Sequence, residues 1–268
     1  MNDLEADQLL LVEAVRAAGA MAIGYFRRDL KHWEKAKGDP VSEADHAVND
    51  LLYARLAAAR PDYGWLSEES HDAPARLDRA RVWLVDPIDG TRAFIDGKPE
   101  FAIAAALIET GRPVLGAVFN PATEEFFAAA AGRGAELNGR PIRVSARPTL
   151  AGARLISGRR MFERAGWPAP PEGASFHSIN SIAYRIALVA AGRYDACVSL
   201  GQKSEWDVAA ADLILAEAGG RLTTARDEPL VFNKARPVQA SLVAAGPALH
   251  RVLIEFLKTV PRPPGARW

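Results

Sequence analysis

The chain has 268 residues, 49% of them hydrophobic, enough for one large α/β domain or two intimate halves around a sizeable core. Lysine plus arginine equals aspartate plus glutamate at 33 each, so no net charge argues for nucleic acid or an anionic membrane as the main partner. One cysteine, Cys197, excludes an internal disulfide and a thiolate metal cluster, and its apolar setting reads as a packed thiol in a reducing compartment. The acidic start, Asn2-Asp3-Leu4-Glu5-Ala6-Asp7, is unlike a signal peptide, and no apolar run nears the roughly 20 residues of a membrane span, so a cytoplasmic protein is expected.

From Leu4 to Phe26, Leu11, Val15, Ala18, Ala22 and Tyr25 recur at helical spacing and predict an amphipathic first helix. Lys31 to Pro40 breaks the pattern with Lys35, Lys37, Gly38, Asp39 and Pro40, and is expected as a polar loop, either solvated or a mobile basic loop beside a site. A second helix starts at Val41-Ser42-Glu43-Ala44-Asp45 and runs through Val48, Leu51, Leu52 and Leu56. Ser42 with Asp45 three residues on is a capping-box pattern, which by itself accounts for Asp45. Tyr63-Gly64-Trp65-Leu66 predicts a short strand that delivers Glu68 and Glu69.

The stretch W-L-V-D-P-I-D-G-T (83–91) carries the most chemistry. Arg81 to Val85 is expected to be a buried strand that Pro87 stops from continuing as a central ladder element. Proline biases Asp86 towards extended backbone, and Gly90 permits a conformation closed to other residues, so Asp86, the Ile88 carbonyl and Asp89 can converge. Such all-oxygen donors suit Mg²⁺ or Mn²⁺. Gly90 and Thr91 then open a short helix whose free amides suit a phosphate. A surface turn built of Asp, Pro and Gly is the alternative reading.

Ala102 to Ile108, Val114 to Asn120 and Glu124 to Ala131 predict an antiparallel meander. Gly132-Arg133-Gly134 lacks the rest of a dinucleotide fingerprint, and no Walker phosphate loop occurs. In the second half, a strand is expected at Arg154 to Ser157, an irregular excursion from Trp167 to Gly173, a helix at Ser181 to Ala191 and a strand at Tyr194 to Leu200. A buried helix from Val208 to Ala218 follows, then a strand at Ala240 to Ala244, a helix at Pro247 to Leu257 and a loose tail over 261–268. Ser204 and Asp207 repeat the capping-box spacing, so Asp207 too has a structural reading. No repeat or linker splits the chain, which is expected as a single domain with an N-terminal half, 1–145, and a C-terminal half, 150–260.

Glu68, Asp86, Asp89, Asp207 and Asp45 thus all border buried elements, where unpaired carboxylates are costly and cations would neutralise them. Two divalent ions held by bridging carboxylates clamp the attacking and leaving oxygens of a phosphoryl displacement, which makes phosphoester hydrolysis the expected reaction.

The segments G-D-P-V-S-E-A-D (38–45), L-S-E-E-S (66–70), W-L-V-D-P-I-D-G-T (83–91) and W-D-V-A-A-A-D (206–212) together resemble the inositol monophosphatase superfamily, in order and spacing and across essentially the whole chain. The resemblance implies an α/β (α+β) fold layered as an αβαβα sandwich of the inositol monophosphatase and fructose-1,6-bisphosphatase type, and a Mg²⁺-dependent, lithium-sensitive phosphomonoesterase. It implies that Glu68, Asp86 and the Ile88 carbonyl hold one Mg²⁺, that Asp86, Asp89 and Asp207 hold a second, and that two or three ions work together. By the same resemblance Asp89, Gly90 and Thr91 receive the phosphate, Asp45 with the Thr91 hydroxyl activates the nucleophilic water, and Glu68 is counted with Asp45 and Thr91 as catalytic. Ser181 and Lys203 are assigned to substrate contacts. Flanks such as D-G-T-R-A-F and G-Q-K-S-E-W-D look closest to the 3′(2′),5′-bisphosphate nucleotidase branch, with inositol monophosphatase and histidinol-phosphate phosphatase as alternatives. A family-like homodimer acting on a small phosphomonoester, with no nucleic-acid partner, is expected; a binding protein of the transcription machinery is the distant alternative.

Overall fold

A computed structural model describes residues 3–158, 163 and 172–259. The 261–268 tail and most of the Trp167 to Gly173 excursion lie outside the described residues. In chain order the elements are α1 (Asp3–Tyr25), β1 (His32–Ala36), β2 (Asp39–Ser42), α2 (Glu43–Leu56), β3 (Gly64–Ser67), β4 (Arg81–Asp89), α3 (Thr91–Ile95), β5 (Ala102–Glu109), β6 (Arg112–Asn120), β7 (Glu125–Ala130), β8 (Ala135–Leu137) and β9 (Arg140–Pro141). The second half adds β10 (Arg154–Leu155), β11 (Ser175–Phe176), α4 (Ile182–Ala190), β12 (Ala196–Ser199), β13 (Lys203–Ser204), α5 (Glu205–Glu217), β14 (Arg221–Thr223), β15 (Val238–Gln239), β16 (Leu242–Ala245) and α6 (Pro247–Thr259).

Strands β3 to β9 form a seven-stranded sheet in sequence order, with β3 parallel to β4 and every later pair antiparallel. A five-stranded sheet runs β11-β10-β12-β16-β14. The side-chain alternation of β4 explains the layering. Trp83 and Val85 point to one face of the large sheet, where α1 and α2 bury Leu11, Val15, Val48 and Leu52 against them. Val82 and Leu84 point to the other face, where α4 and α5 supply Ile186, Val208, Ala210 and Ile214. A strand covered on both faces has to be apolar at consecutive positions, which is why it stands out in the sequence. The inner face of the small sheet closes the same core through Cys197 and Ala244, and α6 packs Leu249, Leu253 and Leu257 on its outer face. The result is an αβαβα sandwich. Gly116 sets the approach of α5: a Cβ there would lie 2.8 Å from the Ala210 carbonyl oxygen, so the helix rests on the sheet backbone itself.

Two sequence expectations need correction. Pro87 does not end its strand, because β4 continues to Asp89 and pairs Asp86 with Ala104 and Asp89 with Ala102 across a register shift. Proline is tolerated there because β3 has already stopped, its last pair being Ser67 with Val85, so no neighbour on that side requires an amide hydrogen. Lys31 to Pro40 is not an unstructured loop but the antiparallel hairpin β1–β2, tied down by the stack of Trp33 on His46 and the Arg92 guanidinium on the Gly38 carbonyl at 2.7 Å. All five residues of β1 are exposed, so the apolar alternation that identifies a strand is missing.

Candidate active site

The acids converge from the ends of β3 and β4 and the start of α5. Parallel pairing of β3 with β4 puts Glu68, one residue past β3, next to Asp86, and the Glu68 amide donates to the Val85 carbonyl. Asp207 arrives from the other half at the third position of α5. One carboxylate oxygen each from Glu68, Asp86 and Asp207 lies within 4.8 Å of the others. Together with Asp39, Ile88, Asp89, Gly90, Thr91, Arg92 and Lys203, these acids line a cleft of about 170 Å³.

Asp89 is held in the cleft wall by the start of α4. Its Oδ2 accepts the Ser181 hydroxyl and the Ala183 amide, each at 2.6 Å. Ser181 is fully buried, and its oxygen also accepts the Tyr184 amide as the helix N-cap. Its hydroxyl is thus committed to Asp89; of the two residues assigned to substrate contacts, Lys203 lines the cleft and Ser181 stands behind Asp89. Gly90 follows with φ at 97°, and a Cβ there would sit 3.0 Å from the Glu100 carbonyl oxygen and 3.2 Å from the Ser181 nitrogen. Conformation and space both demand glycine at the turn into α3.

Asp45 divides its two oxygens. Oδ2 accepts the Ser42 amide at 2.9 Å and the Ser42 hydroxyl at 2.5 Å, completing the capping box of α2. Oδ1 accepts from Thr91 Oγ1 at 2.9 Å, whose other neighbour is the Ile88 carbonyl at 3.0 Å. The helix cap and a proton-accepting partner for Thr91 are therefore the same carboxylate. Asp207 shares its duties likewise: Oδ2 accepts the Ser204 amide at 3.1 Å, while the side chain also enters the acid cluster.

Burial and mutual repulsion set the electrostatics of the cluster. Burial, reinforced by Glu68, Asp89 and Asp207, pushes the Asp86 carboxyl well above the usual range. Burial and the charges of Asp89 and Glu68 push Asp207 up to about 8. Burial also raises Asp89, to about 6, against the opposing bonds from Ser181 and Ala183. Asp86 Oδ1 is buried without a hydrogen-bond partner. Crowded hard oxygens, one of them orphaned, fit a divalent cation such as Mg²⁺. Asp45 is raised by burial, opposed by its bonds from Ser42 and Thr91.

Three neighbours of the cluster carry no assignment from the sequence. Lys35, from the hairpin, reaches Glu68 at 2.8 Å and Glu69 at 2.6 Å. Burial alone would lower its ammonium, and the two carboxylates overcome that and hold it above the ordinary range. Arg92 and Asp39 complete the cleft rim. The signals for these in the sequence are a basic run in the hairpin, the basic residue after Thr91 and, for Asp39, its place in the segment G-D-P-V-S-E-A-D (38–45).

A profile described as the inositol monophosphatase family matches residues 3–261. An inositol-1-monophosphatase of Rhizobium meliloti (strain 1021) is 35% identical over 247 residues, 88% of this chain and 90% of that protein. A histidinol-phosphatase of Chlorobaculum parvum (strain DSM 263 / NCIMB 8327) is 33% identical over 261 residues, 92% and 95% of the two chains. Among solved structures, the extragenic suppressor protein suhB from Bartonella henselae superposes with a TM-score of 0.85 at 30% identity, covering 95% of this chain and 99% of that one. No described helix is long and apolar enough to cross a membrane. With the layered sandwich, the acid cluster and these relatives in agreement, the chain belongs to the inositol monophosphatase family, in general Mg²⁺-dependent, and is a phosphoric monoester hydrolase.

Proposed function

We infer that this phosphatase acts on a small phosphomonoester carrying a second anionic group, of the 3′(2′),5′-bisphosphate nucleotide type, and releases the 5′-nucleotide and inorganic phosphate. The observation that carries this reading is the pair of cations, Arg92 and Lys203, on the rim of an otherwise acidic cleft. Divalent ions neutralise the acids and the scissile phosphate; two further cations beside them match a second phosphate better than an uncharged polyol. They oppose a cationic substrate such as histidinol phosphate. The names of the relatives support inositol 1-phosphate as the second reading.

Glu68, Asp86 and the Ile88 carbonyl would hold one Mg²⁺, and Asp86, Asp89 and Asp207 another. Bound there, Mg²⁺ supplies positive charge to the phosphoryl oxygens and acidifies water. The chain's own residues do the rest. Gly90 and Thr91 seat the phosphate at the mouth of α3, and Ser181 fixes Asp89 so that its remaining oxygen faces the cleft. Asp45, raised by burial, accepts the Thr91 hydroxyl hydrogen as Thr91 Oγ1 takes a proton from the attacking water. The water oxygen bonds to phosphorus, the bond from phosphorus to the ester oxygen breaks, and that oxygen takes its proton from solvent. Comparing kcat/KM for 3′-phosphoadenosine 5′-phosphate, inositol 1-phosphate and histidinol phosphate tests the reading. A preference for the bisphosphate that Lys203→Met reduces is expected; a preference for inositol 1-phosphate untouched by Lys203→Met contradicts it.

A further inference from the structure

The cluster contains a cation already. The Lys35 ammonium sits on Glu68 Oε1 at 2.8 Å, on the acid proposed to hold the first Mg²⁺. It is delivered by a hairpin whose first strand is wholly exposed and whose second strand packs against α3 and α2. Glu69, whose side chain is almost fully buried, holds the same ammonium at 2.6 Å. Lys35 therefore has a second carboxylate on which to remain when Glu68 is taken.

The geometry points to Lys35 as an internal counter-cation that competes with the divalent ion for Glu68 and sets the affinity of that position, withdrawing to Glu69 when the ion binds. A unit positive charge and a divalent ion on one carboxylate repel each other, whichever oxygen each uses. Without a divalent ion, the ammonium neutralises part of the crowded acids; with one, its share of Glu68 has to be given up. Both effects weaken divalent-ion binding relative to a chain lacking Lys35. This inference rests on Glu68 being a metal ligand.

The test is calorimetric titration of the full-length chain with Mn²⁺ alone, without substrate. Lys35→Met is expected to bind Mn²⁺ about two- to fivefold more tightly than the parent, the range set by a pair roughly a quarter exposed on each side. Lys37→Met removes the same charge from the same hairpin, where no contact with Glu68 exists, and is expected to leave the affinity unchanged. In a Glu68→Gln background, Lys35→Met is expected to bring no gain. Unchanged or weaker binding in Lys35→Met, an equal gain in Lys37→Met, or a gain that survives Glu68→Gln overturns the inference. A parent that binds no Mn²⁺, or Glu68→Gln binding it as the parent does, overturns the ligand assignment itself. Thermal melting verifies that each variant is folded, and Lys35→Gln repeats the comparison with a polar side chain.

Discussion

The two halves of the molecule use the same device to different ends. Ser42 with Asp45 opens α2, and Ser204 with Asp207 opens α5; each pair forms a capping box with the acid at the third helical position. Around Asp45 the free oxygen meets one neutral donor, Thr91, and nearby charge is a minor influence after burial and hydrogen bonding. Around Asp207 the neighbours are carboxylates, and Asp89 and Glu68 raise it further than burial alone. A capping acid satisfies backbone donors with one oxygen and leaves the other for chemistry. On the roles proposed for them, what the second oxygen faces separates handling a proton from holding a cation.

The largest effect that distinguishes the two roles belongs to the cation side. Asp86→Asn, at the acid shared by both proposed ions, is expected to abolish turnover and most Mn²⁺ binding while leaving the circular dichroism spectrum of the folded chain intact. Near-normal turnover would reduce the acid cluster to a structural feature.

On the proton side, Asp45→Asn still caps α2 and is expected to lose about 10²–10⁴ in kcat, the usual worth of a general base, with Mn²⁺ affinity close to the parent. Thr91→Ala is expected to fall as far, and the double variant little further, because both act on one proton. Additive losses in steady-state kinetics would separate the two residues.

The caps themselves are smaller. Ser42→Ala and Ser204→Ala are each expected to cost about 0.5–2 kcal/mol in denaturant unfolding of the metal-free chain. Ser42 should be the costlier, since its hydroxyl donates to Asp45 at 2.5 Å in a fully buried setting.

The smallest effect is a slope against pH. Burial raises the Asp45 carboxyl above its ordinary value, so over the range between the two the native state keeps a proton that the unfolded chain has released. Native stability contributed by this group is therefore present below the unfolded value and declines as pH rises through the native one. Asp45→Asn has no such proton, and its stability relative to the parent is expected to climb over that pH rise in metal-free urea titrations. A flat difference would place Asp45 in a more solvated setting.

The sequence made the sandwich legible where burial is two-sided. The centres of β4 and α5 and nearly all of β5 are apolar because each has packing on opposite faces, and their spans are readable to within a few residues. The hairpin was not readable, because β1 buries nothing. Pro87 bars β4 from continuing as a central element, and the sequence carries no record that β3 ends at Ser67 and lets β4 continue with a neighbour on one side only. At the site, Asp45 and Asp207 fit both a cap and a functional acid by spacing; each forms its capping box, and each has an oxygen near the cleft residues that the proposed role requires. Ser181 lies 92 residues from Asp89, and nothing local marks their bond. Lys35 was visible only as one charge in a basic run.

The central claim is that one buried carboxylate, Asp86, is shared by two divalent ions, one also held by Glu68 and one by Asp89 and Asp207. Anomalous diffraction from crystals soaked in Mn²⁺ tests it directly. Two peaks are expected, both within coordination distance of Asp86, one against Glu68 and the Ile88 carbonyl and the other against Asp89 and Asp207. Peaks that leave Asp86 without a ligand contact, or none in the cleft at saturating Mn²⁺, would contradict it.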